Sequence, residues 1–210
     1  MARVRLSVEE RREELLRAAV RQIEQRGVAA LRVADVAAEL EVSNALVLYH
    51  FATKEKLVAA AFRYAAEADL AHLKSLLGRR GSALRRLRAA LRWYSPTGQA
   101  KGWKLWIEGW AAALREPVLR DVAQDLDRRW KAALAEVIAE GAAAGEFTCT
   151  DAEGAAWRLT ALLDGFAVQT ITYAGALPRR TMQAWVEDAL THELHLPPTE
   201  RPDSTGPSGD

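Results

Sequence analysis

Cysteine and long apolar runs are nearly absent from this chain of 210 residues. Cys149 is the single cysteine, so no internal disulfide can form. No stretch approaches the ~18 consecutive apolar residues of a membrane-spanning helix. The N-terminal MARVRLSVEERR also lacks an apolar signal core. We therefore expect a protein of the reducing cytoplasm with no part in a membrane.

Strand signals are almost absent from the sequence, and proline is scarce outside the end of the chain. Ala, Leu, Glu and Arg dominate the rest of the sequence, and they are strong helix formers. Four of the seven prolines lie in the last segment, PPTERPDSTGPSGD, which contains no large apolar residue. We expect residues 197–210 to form a disordered tail behind a helical protein.

An excess of charge and the common catalytic motifs are missing as well. The formal net charge is +1, and residues 1–60 carry almost equal numbers of basic and acidic side chains, so composition alone does not indicate nucleic-acid binding. No paired Cys/His set, Gly-rich phosphate loop or nucleophile elbow occurs, and His192 and His195 by themselves do not make a metal site. The sequence predicts no enzyme, no cofactor and no metal.

Apolar residues recur at helical spacing along almost the whole chain. Ser7 is a predicted N-cap and Gly27 a left-handed stop for the first helix. A short pattern over 33–40 is followed by a third helix capped by Ser43 and a fourth capped by Thr53. Five more helices are predicted at 82–95, 99–115, 117–143, 151–175 and 178–195. The sequence thus predicts an all-α protein of about nine helices, with 54–78 as the connecting helix.

The second and third helices have the spacing of a helix-turn-helix, in which the later helix enters the DNA major groove. If Val47 and Phe51 point into the core, the step of about 100° per residue turns Ala45 and Tyr49 outward. Asn44 lies in the first turn, where such a helix meets base edges. This pattern predicts a three-helix DNA-binding domain over residues 1–53.

Residues 42–57, VSNALVLYHFATKEKL, resemble the signature of the TetR family, Val-Ser-x-Gly-x-Leu-Tyr-x-His-Phe-x-x-Lys-x-x-Leu. The matching positions are Val42, Ser43, His50, Phe51, Lys54 and Leu57. The resemblance covers about residues 10 to 60. More loosely, KLWIEGWAAALREPVLRDV and LLDGFAVQTI resemble the ligand-sensing half of BetI-like and actinobacterial members. The resemblance implies a cytoplasmic, ligand-responsive, sequence-specific regulator, usually a dimeric repressor that a small molecule releases from a palindromic operator.

Several positions depart from that signature. Ala45 replaces a glycine, which makes the groove face bulkier, and Leu48 replaces a tyrosine, which removes a hydroxyl. Glu41 stands where a glycine is common in the turn, and a left-handed backbone there costs ~1 kcal/mol for a residue other than glycine. These departures leave the fold expectation in place but make the operator sequence unreadable.

The predicted DNA contacts combine phosphate anchors with base-reading side chains. The resemblance and the helix geometry together select Arg32, Ser43, Asn44, Ala45, Leu46, Tyr49, His50 and Lys54. The anchors are the cationic and hydroxyl groups, while Asn44 suits adenine edges and its apolar neighbours suit thymine methyls. Arg3 and Arg5 resemble a minor-groove arm or are an ordinary basic terminus. Arg32 is equally readable as a solvated side chain and His50 as a packing residue.

The residues beyond the fourth helix contain all seven tryptophans. Trp103, Trp106 and Trp110 share one face of a helix, an arrangement found both in cores and in binding pockets. Rings beside an acid such as Asp164 or Glu108 suit a cationic or aromatic effector. The predicted pocket residues are Trp106, Trp110, Trp130, Asp164 and Gln169.

The resemblance also implies dimerisation through the last two helices, so residues 54–196 are predicted to form the ligand-binding and dimerisation domain. The apolar residues available there are Leu159, Leu162, Leu163, Phe166, Val168, Trp185, Val186, Leu190 and Leu194. Two alternatives remain open at this point. One is a helical small-molecule-binding protein whose helix-turn-helix no longer binds DNA, and the other is a transcriptional activator of the same fold.

Overall fold

The computed structural model describes residues 6–96, 102–173 and 177–197. Over these residues the chain forms nine α-helices and no strand, which confirms the all-α prediction. The helices are α1 Val8–Ala30, α2 Val33–Glu39, α3 Asn44–Phe51, α4 Lys54–Leu77, α5 Ala83–Tyr94, α6 Trp103–Ala113, α7 Pro117–Ala143, α8 Ala152–Thr172 and α9 Arg179–Glu193. The predicted start of the sixth helix at residue 99, the arginines Arg3 and Arg5, and the tail from residue 198 lie outside the described residues.

α1 begins at a reciprocal cap and continues past its predicted end. The Ser7 hydroxyl accepts the Glu10 N–H at 3.1 Å, and the Glu10 carboxylate accepts the Ser7 N–H at 2.8 Å. Gly27 has the expected positive φ, +81°, but one more helical turn follows it as far as Ala30. Gly27 therefore breaks α1 where the sequence predicted a stop, and the separate turn that follows begins with Val28, whose N–H donates to Glu108 on another helix.

The turn between α2 and α3 is closed by two backbone hydrogen bonds. The Val42 N–H donates to the Ala37 carbonyl at 2.9 Å, and the Glu41 N–H donates to the Ala38 carbonyl at 3.2 Å. Glu41 has φ +52°, so the left-handed backbone considered from the sequence is present without a glycine. This turn sets the angle at which α3 leaves α2.

Two buried clusters divide the apolar residues. The first joins α1, α2 and α3 to the early part of α4, and it also contains Leu105 and Trp106 of α6 and Leu119 of α7. The second lies among the end of α4, α5, α7, α8 and α9. Because α6 and α7 complete the first cluster, the core around the helix-turn-helix extends beyond residue 53. In the described part of the chain, no helix has the length and apolar character to cross a bilayer.

Candidate nucleic-acid interface and effector site

α3 exposes one face, which carries both polar and apolar side chains, to solvent. Ser43 caps the helix through a hydrogen bond from the Leu46 N–H at 3.2 Å. Val47 and Phe51 are buried against the body, as the sequence predicts. Asn44 and Ala45 are exposed on the other side of the helix, and Tyr49 is 76% exposed. The outward face is therefore free for a groove of DNA.

The side chains beside the outward face of α3 differ in how much of their surface is exposed. Leu46 is half-buried, so only part of its side chain is available. His50 is also half-buried, and its pKa is lowered by burial and by the positive charges of Arg12 and Arg11. Leu48, which the sequence analysis names only as a departure from the family signature, is 41% exposed and shares the outward face with Asn44, four residues earlier. Its spacing from Asn44 was the signal that could have added it to the contact set.

The two predicted cationic anchors border one cleft. Arg32 is exposed at the N-cap of α2, where its side chain does not cap the helix. Lys54 starts α4, and its Nζ donates to the Ala29 carbonyl at 3.2 Å. A cleft of about 450 Å³ lies between Arg32 and Lys54 and is also lined by Arg26 and Asp35. The structure thus brings the two anchors together, with Lys54 already engaged to the end of α1.

An aromatic cluster forms around Tyr94 in the larger helical part. The Tyr94 ring lies 4.5 Å from Trp103 and 4.4 Å from Trp130, measured between ring centroids. The Tyr94 hydroxyl donates to Asp164 Oδ1 at 2.8 Å, and the Trp103 indole N–H donates to the Tyr94 carbonyl at 3.1 Å. The Trp130 indole nitrogen is buried with no hydrogen-bond partner among the described residues. These contacts hold a carboxylate at the edge of four large rings, the fourth being Trp93.

Asp164 opens onto a cleft of about 420 Å³ that it shares with Trp110 and Asp127. Burial raises the pKa of Asp164 to about 6, and the negative charge of Asp127 adds to that rise. The Tyr94 hydrogen bond and the positive charge of Lys131, whose ammonium lies 2.7 Å from Asp127 Oδ2, oppose it. Burial likewise raises the pKa of Asp69, on α4, to about 6. Carboxylates in this setting favour a bound cation, because a positive charge repays the desolvation of the acid. Aromatic faces nearby add cation–π attraction.

The predicted pocket residues do not all meet. Trp110 and Asp164 line the cleft. Trp130 does not line it but packs against the ring of Tyr94, whose hydroxyl binds Asp164. Trp106 is buried and packs edge-on against Phe62, with ring centroids 4.8 Å apart, in the cluster below the helix-turn-helix. Gln169 is exposed further along α8 and does not line this cleft.

Other acids lie where the sequence did not place them. Glu108 accepts a hydrogen bond from the Val28 N–H of α1 and does not line the cleft. Asp127 was overlooked, although its position three residues before Trp130 puts it on the same face of α7. Asp69 had no such signal, because its carboxylate is covered by the start of α6, where it lies against Gly102, the N-cap residue of that helix.

α8 and α9 carry exposed large hydrophobic side chains. Trp157, Val168, Ile171, Tyr173 and Trp185 are between 37% and 59% exposed. Of the apolar residues expected to supply both a core and a dimer seam, Leu159, Leu163, Leu190 and Leu194 are buried in the chain's own core. The seam available to a partner is therefore smaller and more aromatic than the sequence indicated.

A helix-turn-helix with a free outward face, attached to a larger helical body with an aromatic cleft, defines a helical DNA-binding regulator. Residues 15–61 match the family described as bacterial regulatory proteins of the tetR family. Residues 83–195 match the C-terminal part of BetI-type transcriptional repressors. The chain belongs to the TetR family of transcriptional regulators and is of the BetI type.

Individual relatives agree with this assignment. BetI of Pseudomonas aeruginosa is 28% identical over 170 residues, which cover 74% of this chain and 78% of the relative. BetI of Serratia proteamaculans is 27% identical over 205 residues, covering 90% and 96%. A transcriptional regulator of Saccharomonospora viridis, solved in complex with choline, is 30% identical with a TM-score of 0.79 over 89% of this chain and 98% of its own. These names describe transcriptional regulators and not enzymes.

Proposed function

We propose that this protein is a homodimeric repressor that binds a palindromic double-stranded operator and leaves it when a small organic cation binds. Residues 1–53 serve as the DNA-binding part and residues 54–196 as the effector-binding and dimerisation part. Two copies joined through α8 and α9 present two α3 helices, which read the two half-sites of a symmetric operator.

The DNA-reading role is supported by the free face of α3 and by the anchors around it. Asn44, Ala45, Leu48 and Tyr49 are exposed together, a set suited to adenine edges and thymine methyls. Phosphate contacts come from Arg32, Lys54 and the capping end of α3 at Ser43. His50 and Leu46, at the flanks, support the helix and contribute part of their surface.

The single observation that carries the effector proposal is the Asp164 carboxylate, held by the Tyr94 hydroxyl at the edge of an aromatic cluster and facing a cleft. A quaternary ammonium group satisfies both features, since it is attracted to the carboxylate and to the ring faces. The relative from Saccharomonospora viridis was solved with choline, a ligand of this class. Trp110, Trp130 and Asp127 complete the surroundings, whereas Gln169 and Trp106 take no direct part.

The proposed mechanism is a shift between two arrangements of the dimer. The effector stabilises an arrangement in which the two α3 helices are wrongly spaced for consecutive major grooves, so operator affinity falls. α4 begins beside α3 and continues into the second buried cluster, which makes it a direct connection between the two parts. A coupling of about 1–3 kcal/mol between the sites corresponds to a change in operator affinity of roughly five- to 150-fold.

The test starts by selecting genomic fragments of the source organism that bind the protein at low salt. Choline is then titrated into the complex with a selected fragment, beside its uncharged analogue in which carbon replaces the ammonium nitrogen. We expect choline to release the fragment and the analogue to leave it bound. Release by both compounds, or by neither, contradicts the cationic effector.

The same selection separates the alternatives. Failure to bind any fragment supports a helical small-molecule-binding protein that has lost DNA binding. Transcription in vitro from a template that carries the selected fragment distinguishes repression from activation. A rise in transcript on adding protein without choline contradicts the repressor.

A further inference from the structure

The Glu108 side chain of α6 is joined to the last turn of α1. Gly27, at φ +81°, interrupts the helix, and the next amide, Val28 N–H, donates to Glu108 Oε2 at 3.0 Å. A Cβ at Gly27 would lie 3.0 Å from both carboxylate oxygens. The glycine therefore serves both the left-handed backbone and the close approach of the acid. Glu108 caps this turn from a helix 80 residues away in the sequence.

The capped turn also positions the two proposed phosphate anchors. The Ala29 carbonyl accepts the Lys54 ammonium at 3.2 Å. The Leu31 N–H donates to the Val28 carbonyl at 3.4 Å, and Leu31 is fully buried just before Arg32. A displacement of Val28 therefore moves the backbone on which both cations depend.

The other side of α6 faces the effector cleft. Trp110 lines that cleft with Asp164. At about 100° per residue, Trp110 lies across the helix from Glu108, two residues earlier. α6 packs against α1 as well as against α7 and α8. A movement of this short helix at Trp110 is thus transmitted to the Glu108 carboxylate.

We propose that Glu108 is the positioning residue that couples the effector cleft to the DNA-binding surface, and that it releases the Val28 N–H when the effector moves α6. This inference rests on the proposed function and names the contact through which its regulation acts. A pocket of about 280 Å³ adjoins Glu108 and is lined by the cations Lys54 and Arg115 and by the acids Glu55 and Glu116. The pocket gives the released carboxylate both space and cationic partners.

Thermodynamic linkage provides the main test. Operator affinity is measured with and without choline, and choline affinity with and without operator, for the wild type, Glu108→Ala and Glu108→Gln. Glu116→Ala is the matched control, because Glu116 lines the same pocket and is exposed. The coupling ratio is the affinity for one ligand in the absence of the other divided by the affinity in its presence. For each protein, the operator and the choline measurements must return the same ratio, since coupling between binding sites is reciprocal.

We expect a ratio of roughly five- to 150-fold in the wild type and in the control. Glu108→Ala is expected to bring the ratio to within about twofold of one, because the contact is lost. Glu108→Gln is expected to keep most of the ratio, since its amide oxygen can still accept the Val28 N–H. A residue that only stabilises the fold would weaken operator binding equally with and without choline.

Hydrogen exchange of the peptide covering residues 28–32 provides a second measurement. Choline is expected to speed exchange there in the wild type, while Glu108→Ala exchanges fast without choline. If Glu108→Ala fails to fold, the inference is tested on the wild type alone. Release of the operator by choline without a change in hydrogen exchange at residues 28–32 overturns the inference. A wild type that ignores choline overturns the proposed function together with it. If choline lowers the operator affinity of the wild type and of Glu108→Ala equally, the inference is overturned and the proposed function stands.

Discussion

In the proposed repressor, Asp164 serves effector binding at the expense of the stability of the fold. Its pKa of about 6 lies above the ordinary value of 3.8, mainly because the carboxyl group is buried. The folded state therefore holds a proton more tightly than the unfolded state between those two pH values. Stability contributed by this group falls as the pH rises from about 4 to 6, and the loss persists above pH 6. In the proposed function, this same ionised group is the one that attracts the cationic effector.

Replacement of this acid is expected to separate the two effects. Asp164→Asn keeps an oxygen for the Tyr94 hydroxyl but removes the buried charge, so we expect it to stabilise the protein at pH 7.5 by about 1–2 kcal/mol. Urea unfolding at pH 7.5 and pH 4 measures this, and the gain should vanish at pH 4. Asp121→Asn, at an exposed position of α7, is the control and should change little.

The same variant, Asp164→Asn, should bind choline more weakly than the wild type. Choline has no titrating group, so a fall in its affinity as the pH drops through about 6 reports protonation of the protein. We expect that fall in the wild type and a weak, flatter profile in Asp164→Asn. Equal choline affinity in both proteins at pH 7.5 contradicts a role for this carboxylate.

Between α3 and α4, a strained residue makes the junction between two helices. Ala52 has φ +64° and ψ −49°, and the Thr53 N–H donates across it to the Phe51 carbonyl at 2.7 Å. This is a γ-turn that residues with a Cβ rarely adopt. Only Ala52 and Thr53 connect α3 to α4, so the chain must change direction within two residues.

Glycine at this junction is expected to relieve the strain. Ala52→Gly should stabilise the protein by up to ~1 kcal/mol, because the favourable change in the folded state exceeds the added freedom of the unfolded chain. Ala132→Gly is the matched control on an exposed position inside α7 and should destabilise by about 1 kcal/mol. Urea unfolding measures both, and equal losses in the two variants contradict the strained junction.

The whole molecule presents an aromatic surface on α8 and α9. Trp157 is 59% exposed and Trp185 is 48% exposed, the latter stacked against Phe166. Exposed apolar residues grouped on two adjacent helices are typical of a surface that binds a partner. A second copy of the chain covers this surface in the proposed repressor, and operator affinity then depends on two α3 helices acting together.

A charge on this surface is expected to separate the dimer without unfolding the chain. Trp185→Glu should behave as a monomer in light scattering and lose operator affinity by on the order of a hundredfold, because bivalent binding is lost. Val118→Glu is the control, since Val118 is 46% exposed on α7. A dimeric Trp185→Glu with unchanged operator affinity contradicts the proposed interface.

Local sequence by itself determined the helices and the orientation of α3. Val47 and Phe51 inside with Ala45 and Tyr49 outside follow from helical periodicity, and the caps at Ser7, Ser43 and Thr53 act within three residues. These features depend on neighbours in the chain, so a single sequence is enough to predict them.

Tertiary packing alone decided the surroundings of the acids and of the tryptophans. The sequence placed Glu108 near an effector, whereas it caps α1; Gln169 was expected in a pocket and is exposed. Asp164 was predicted as a pocket residue, but the group that binds it, the Tyr94 hydroxyl, lies 70 residues away in the chain. Periodicity shows which side of a helix is apolar, but it does not show which helix will cover that side. That choice depends on contacts between segments far apart in the chain, and these contacts determine where a charge is buried.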